Sequence, residues 1–230
     1  MAAIAGAGSW EAVPWVRAWP WLLATVAAHA VYWPAISRAY ETGELGDGYP
    51  LMRGGSALLA GMGGVLWFHE VVGWTGWAGI VAVGAGLFLL SWRGSMGRER
   101  LTALGAAVLA ITAYSLVDSQ AARFVPPLPY MAVIGLGSAA VLWPWARLEQ
   151  PWPERRAFLP GLMTAASYTV FLIAYPLAPL GPLLALRQVA PALAPVVGCR
   201  RLQEAWSTRR AAGAVLVALG AAALVWGPLH

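Results

Sequence analysis

The sequence contains no lysine and no asparagine, and Cys199 is its only cysteine. A lone thiol excludes a disulfide scaffold. The missing asparagine removes every acceptor for N-linked glycan, so nothing points to a secreted glycoprotein. Charge is scarce as well. Asp, Glu, Lys and Arg make up 11% of the 230 residues, against roughly 25% in a soluble domain. A water-soluble surface cannot be drawn over most of such a chain, which excludes a soluble enzyme and a disordered tail. The net charge of +5 rests on 15 arginines, scattered between apolar blocks rather than gathered into a basic stripe. Nucleic acid is therefore not expected as a partner. Without lysine there is also no phosphate loop for ATP use.

What is present is apolar sequence: 60% hydrophobic residues and a mean hydropathy of +0.64. A bilayer span needs ~20 apolar residues, and the pattern predicts an all-α polytopic membrane bundle of about eight transmembrane helices. They are expected over 19–40, 50–69, 74–92, 101–121, 128–147, 158–176, 182–199 and 210–228. Polar or proline-containing stretches separate them, among them 41–48, 93–100 and 147–156. Tryptophans gather near the expected span ends (Trp19, Trp21, Trp74, Trp92, Trp143, Trp145, Trp206, Trp226), as an interfacial belt places them. Trp33 falls in mid-span. Residues 1–18 are too short in apolar run to span and lack the basic start of a signal peptide, and read as a tail. Arginines in the connections fall eleven on one side against two (Arg17 and Arg123) on the other. By the positive-inside rule both termini are expected outside the cytoplasm, in a multi-pass inner (plasma) membrane protein.

The sequence also matches itself at an offset of 134 residues. Arg53 pairs with Arg187, Gly64 with Gly198, Glu70 with Glu204, Gly79 with Gly213, Gly86 with Gly220 and Trp92 with Trp226. Arg, Glu and Trp are rare enough here that their alignment carries the match. Upstream, across one or two gaps, Tyr32 pairs with Tyr168 and Ala39-Tyr40 with Ala174-Tyr175. The second helix thus corresponds to the seventh, five spans later. An odd separation makes the copies cross the membrane in opposite directions, an architecture found in transporters. The expected organisation is an incomplete first repeat over 19–92, with three helices, and a complete second repeat over 101–228, with five.

Several motifs resemble the EamA-type drug/metabolite transporter superfamily: Tyr49-Pro-Leu-Met-Arg-Gly54, His69-Glu70 with the following Gly79, Gly84 and Gly86, then Ala113-Tyr-Ser-Leu-Val-Asp118, Ala166-Ser-Tyr168, Leu177-Ala-Pro179 and Ala185-Leu-Arg187. The resemblance covers about residues 19–228. It implies two five-helix repeats and export or exchange of small metabolites. Against that pattern the first two spans are missing, and Gln188 stands where relatives carry an acid.

Candidate functional residues follow from charge in a span. Arginine in mid-span costs about 2.5–3.5 kcal/mol on insertion scales and needs a partner or water. Arg53, just after Tyr49-Pro50 at an expected helix start, and Arg187 are expected to line a central cavity, binding an anionic group or locking a gate. A snorkelling arginine is the plain alternative for Arg53. Asp118 shares a helix face with Tyr114 four residues earlier. It is read as a proton-coupling or amine-binding carboxylate, or else as the buried partner of an arginine or an interfacial acid near Arg123. Tyr32 and Tyr168, with Tyr40 and Tyr175, suit cavity walls, although a belt position explains the last two equally well. Glu70 and Glu204 end their helices in a capping, packing or gating role, and Gly79 and Gly213 are read as close-packing residues. His29 is read as a satisfied interior histidine rather than a proton carrier. No residue set makes a metal site, and no cofactor is expected.

The reading is a non-enzymatic secondary carrier of a small organic molecule, driven by a proton or substrate gradient. A lipid-phosphate enzyme is disfavoured because the spans lack a His/Asp or Ser/His set. A truncated remnant or helper subunit is the other alternative, with a homodimer or a separate partner supplying the missing helices.

Overall fold

The computed structural model describes residues 10–41, 45–91, 97–144, 155–188 and 208–226. They form eight α-helices: α1 (Trp15–Glu41), α2 (Leu45–Phe68), α3 (Trp74–Ser91), α4 (Arg98–Ala121), α5 (Pro127–Leu142), α6 (Arg155–Ala174), α7 (Leu180–Arg187) and α8 (Thr208–Trp226). A 3-10 turn at Tyr175–Leu177 joins α6 to α7, and no strand occurs among the described residues.

The starts and stops have local causes. Pro14 precedes α1, and its carbonyl accepts from Arg17 and Ala18 N–H. Proline there lacks only a donor that a helix start leaves unpaired anyway. Pro127 opens α5 at the first helical position for the same reason. Gln188 N–H turns back to Ala185 O at 3.0 Å after α7. His69 follows α2 at φ 53°, a left-handed value that non-glycine residues seldom adopt. It folds the chain back so that Glu70 N–H donates to Gly64 O at 3.1 Å.

Two expected boundaries move. Residues 15–18, read as tail, belong to α1, and Val13 and Ala18 are buried. The second helix begins at Leu45 rather than at 50, so Pro50 lies a turn inside it and Arg53 lies eight residues in, about 12 Å from the start at 1.5 Å per residue. The seventh helix is described only over Leu180–Arg187. The remainder of its expected span, with Gly198, Cys199 and Glu204, lies outside the described residues, as do Trp92, Trp145 and Trp206.

By contacts the chain divides into two units, Met1–Ala30 with Val117–Leu177, and Val31–Leu116 with Ala178–His230. The boundaries fall inside α1 and α4. In the first unit the core gathers Leu22, Val26, Tyr130, Ile134, Leu172 and Tyr175. Gly137 lies under Val26, where a Cβ would come within 2.7 Å. Arg17 holds its guanidinium 4.3 Å over the Phe124 ring, and Trp21 meets that ring edge-on.

The second unit is organised by backbone contact between α3 and α8. A Cβ on Gly79 would lie 2.9 Å from Gly220 O and 2.6 Å from Leu224 Cγ. One on Gly213 would lie 2.7 Å from Gly86 O and 2.9 Å from Leu90 Cγ. One on Gly86 would reach Val217 N at 2.9 Å, and one on Gly220 would reach Val83 N at 2.8 Å. Gly79 thus faces Gly220 while Gly86 faces Gly213, so the helices run in opposite directions. Adding 134 to one partner and subtracting it from the other turns each contact into another of the set. Two further crossings use glycine, Gly54 on Gly84 between α2 and α3, and Gly61 on Gly181 between α2 and α7.

Among the described residues, two helices are long and apolar enough to cross a membrane by length and composition, Arg98–Ala121 and Phe158–Leu177. Shorter apolar helices occupy Trp74–Leu90, Pro127–Leu142 and Ala211–Leu224.

The close approach predicts which glycines tolerate a side chain. Gly86→Leu and Gly220→Leu should each destabilise by about 1–3 kcal/mol through overpacking. Gly135→Ala and Gly161→Ala, where an added Cβ meets nothing within 4 Å, should leave the thermal midpoint unchanged or raise it, because alanine favours helix. Thermal unfolding of the purified protein in detergent, followed by tryptophan fluorescence, measures both.

Candidate functional site

Two polar clusters stand among the described residues, one in each unit. The first surrounds Asp118 on α4, which is fully buried. Tyr130, on the first turn of α5, donates its hydroxyl to Oδ1 at 2.6 Å. Tyr168, on α6, donates to Oδ2. Thr25 of α1 stands beside this group, its hydroxyl 3.3 Å from His29 Nδ1. Two phenol donors therefore hold the carboxylate, the arrangement by which a buried anion is satisfied without a cation. His29 lies one turn along α1 from Thr25, with Nδ1 2.8 Å from Thr25 O. A carbonyl only accepts, so Nδ1 is the donor in this contact. The imidazole meets the Tyr168 ring edge-to-face at 6.3 Å. Ser138 Oγ, on α5, is buried with no hydrogen-bond partner among the described residues.

Among the described residues Asp118 is buried and bonded to no guanidinium; its hydrogen-bond partners are phenols. Tyr114, expected beside it on one helix face, belongs to the other unit and another cluster. Tyr130 and Thr25 escape a sequence reading. Tyr130 follows Pro127 and Pro129 at a helix start, where a tyrosine passes for a belt residue. Thr25 is the one threonine of α1, its signal the i,i+4 spacing to His29. Tyr175, open between belt and cavity wall, is buried in its unit, whereas Tyr40 is half-buried.

The second cluster surrounds Arg53 on α2, half-buried in the second unit. Tyr49, one turn earlier, lies on the same face. Its hydroxyl accepts from both Nε and Nη2 of Arg53 at 3.3 Å, and its ring lies 5.4 Å from the guanidinium carbon. Tyr32 and Tyr114 pack edge-to-face at 5.7 Å. With Tyr49 they are the tyrosines that bear electrostatically on Arg53, and Tyr40 feels its charge too. Ser56 returns its hydroxyl to Arg53 O at 2.9 Å.

Around α7 the expected residues divide. Glu70 does cap a helix, though not its own: Oε2 accepts from Leu180 N–H at 2.9 Å. Pro179 supplies no side-chain cap there, and a carboxylate at a helix N-terminus is favoured by the helix dipole. Arg187 occupies the last turn of α7, half-buried, where a cation is favoured by the same dipole. Gln188 is buried. Its Nε2 donates to Leu184 O at 2.6 Å, while Oε1 has no partner among the described residues. Gly79 and Gly213 sit in the α3–α8 contact. Glu204 lies outside the described residues.

Compared with protein-family models and with curated proteins, the chain matches none.

Removing one donor from a buried carboxylate costs about 1–3 kcal/mol. Tyr130→Phe and Tyr168→Phe should each lower the thermal midpoint accordingly, while Tyr40→Phe, at a half-buried position, should leave it within error. Equal midpoints for all three would show that the phenols do not hold Asp118.

Proposed function

We propose that the chain is a multi-pass membrane carrier of small organic molecules, built from two inverted copies of an EamA-like repeat and working by alternating access. The observation that carries this reading is the reciprocity of the α3–α8 contact. A shift of 134 residues relates the two copies in sequence, and the same shift carries each glycine contact onto another. A two-fold relation between oppositely directed copies has this property, and such symmetry serves a site that must open alternately to two sides.

The distribution of polarity supports membrane embedding across the bundle. Large apolar side chains point outward along α1, α5, α6 and α8, with Phe158 74% and Leu136 73% exposed, while Thr25, His29, Ser56, Ser115, Asp118 and Gln188 are buried. That is inside-out for a chain in water and suits one in lipid. Thr164, exposed on α6, returns its hydroxyl to Pro160 O at 2.8 Å, which hides the donor from hydrocarbon. Exposed tryptophans stand at helix ends, Trp15 and Trp19 on α1, Trp67 on α2, Trp74 on α3 and Trp143 after α5, as a belt requires.

In this reading Arg53, Arg187, Tyr49, Tyr114, Tyr32, Tyr168, Asp118 and Gln188 serve the substrate or its coupling ion. Glu70, by joining the α2–α3 connection to α7, is a gating contact, with Glu204 its counterpart in the second copy. The arginine bias places both termini outside the cytoplasm. The gradient that drives transport is carried by a proton or by a second substrate.

Cells producing the protein should differ from cells without it in their extracellular profile of small metabolites. Arg53→Ala and Arg187→Ala, at unchanged protein level, should abolish the difference. A profile that does not respond to the protein would overturn the carrier reading; a difference kept in both variants would remove the arginines from the site.

A further inference from the structure

The Arg53 cluster has the composition of a binding site for an anion that the chain itself does not supply. The guanidinium is half-buried, two turns inside α2. Both of its protein hydrogen bonds go to one neutral oxygen, Tyr49 Oη, at the long distance of 3.3 Å. No carboxylate among the described residues pairs with it. The groups that bear on its charge are Tyr114, Tyr49 and Tyr32. A cation surrounded by phenols, with Nη1 and one Nη2 hydrogen uncommitted, presents the fork that a carboxylate engages through two parallel N–H···O bonds.

Charge and shape narrow the ligand further. Among the described residues Arg53 is the cation whose charge bears on Tyr32 and Tyr40, so a single negative charge neutralises it and a dianion would leave an excess in a low-dielectric site. The walls are aromatic: Tyr32 and Tyr114 meet edge-to-face, and Tyr32 also packs on Trp33 at 5.1 Å. Rings at these distances favour an apolar, planar body beside the charged group. We propose that Arg53, with Tyr49, Tyr32 and Tyr114, binds the carboxylate of a small aromatic monoacid. The substrate role of this ligand rests on the carrier reading above, whereas the binding does not.

Purified protein in lipid nanodiscs and radiolabelled benzoate as probe separate the two. Benzoate should bind saturably, with benzylamine and inorganic phosphate failing to displace it. Arg53→Gln should weaken binding at least tenfold, and Arg53→Lys, which keeps the charge but loses the fork, should weaken it less. Gly161→Ala, where an added Cβ meets nothing within 4 Å, should bind benzoate within about twofold of the unmodified protein, and Tyr114→Leu, which removes the ring, should weaken binding at least threefold, so that a misfolded Arg53→Gln leaves a second readout. Absent benzoate binding, unchanged binding by Arg53→Gln, or displacement by phosphate or benzylamine would each overturn the assignment. Labelled benzoate entering liposomes is read separately: binding without flux leaves the site standing and removes the carrier reading, while flux insensitive to Arg53 does the reverse.

Discussion

The second unit depends on how closely two helix backbones approach. Across the α3–α8 contact, glycine carbonyls and amides stand where side chains would otherwise lie, and each of the four glycines fits only because the residue opposite leaves room for it. In lipid there is little hydrophobic gain from pressing apolar helices together, so association rests on dispersion and on backbone proximity that small residues permit. Gly54, Gly84, Gly61 and Gly181 extend the same principle to α2 and α7. The result places Glu70 against the N-terminus of α7 and carries Arg53 on a helix fixed along two of its faces.

Polar groups inside such a bundle have to satisfy one another. Asp118 meets that demand with phenols on two other helices, which ties α5 and α6 to α4 through a single carboxylate. Arg53 meets it only in part, with one shared tyrosine oxygen. The two clusters differ in kind: the carboxylate is held by two phenol donors, whereas the guanidinium shares one phenol oxygen and keeps donors for a ligand.

Much of the fold was legible because apolar run length and punctuation are direct consequences of helix physics. The expected helices coincide with α3 to α6 and α8 to within a few residues, and Gly79 and Gly213 are where close packing was anticipated. The start of α2 was misread because Pro50 resembles a first-turn proline, whereas the helix begins at Leu45 and Pro50 lies in its second turn. The deeper position of Arg53 follows from that shift. Tyr130 was invisible because its importance lies in reaching Asp118 across helices, which no spacing within one helix encodes. Tyr114 and Asp118 do share a face of α4, but neighbours on different helices draw the two into different clusters.

The proposed inverted architecture makes a demand that packing in one conformation does not. If the copies are inverted in a membrane, the end of α1 and the end of α6, which follow matched tyrosines, face opposite sides of it. Glu41 and Leu177 are exposed at those ends. With Cys199 replaced by serine, single cysteines at these two positions can be labelled by a membrane-impermeant maleimide in sealed, right-side-out vesicles. Leu177→Cys should react from outside, and Glu41→Cys only after the vesicles are opened. Reaction of both from the same side would contradict the inverted architecture and the carrier reading built on it.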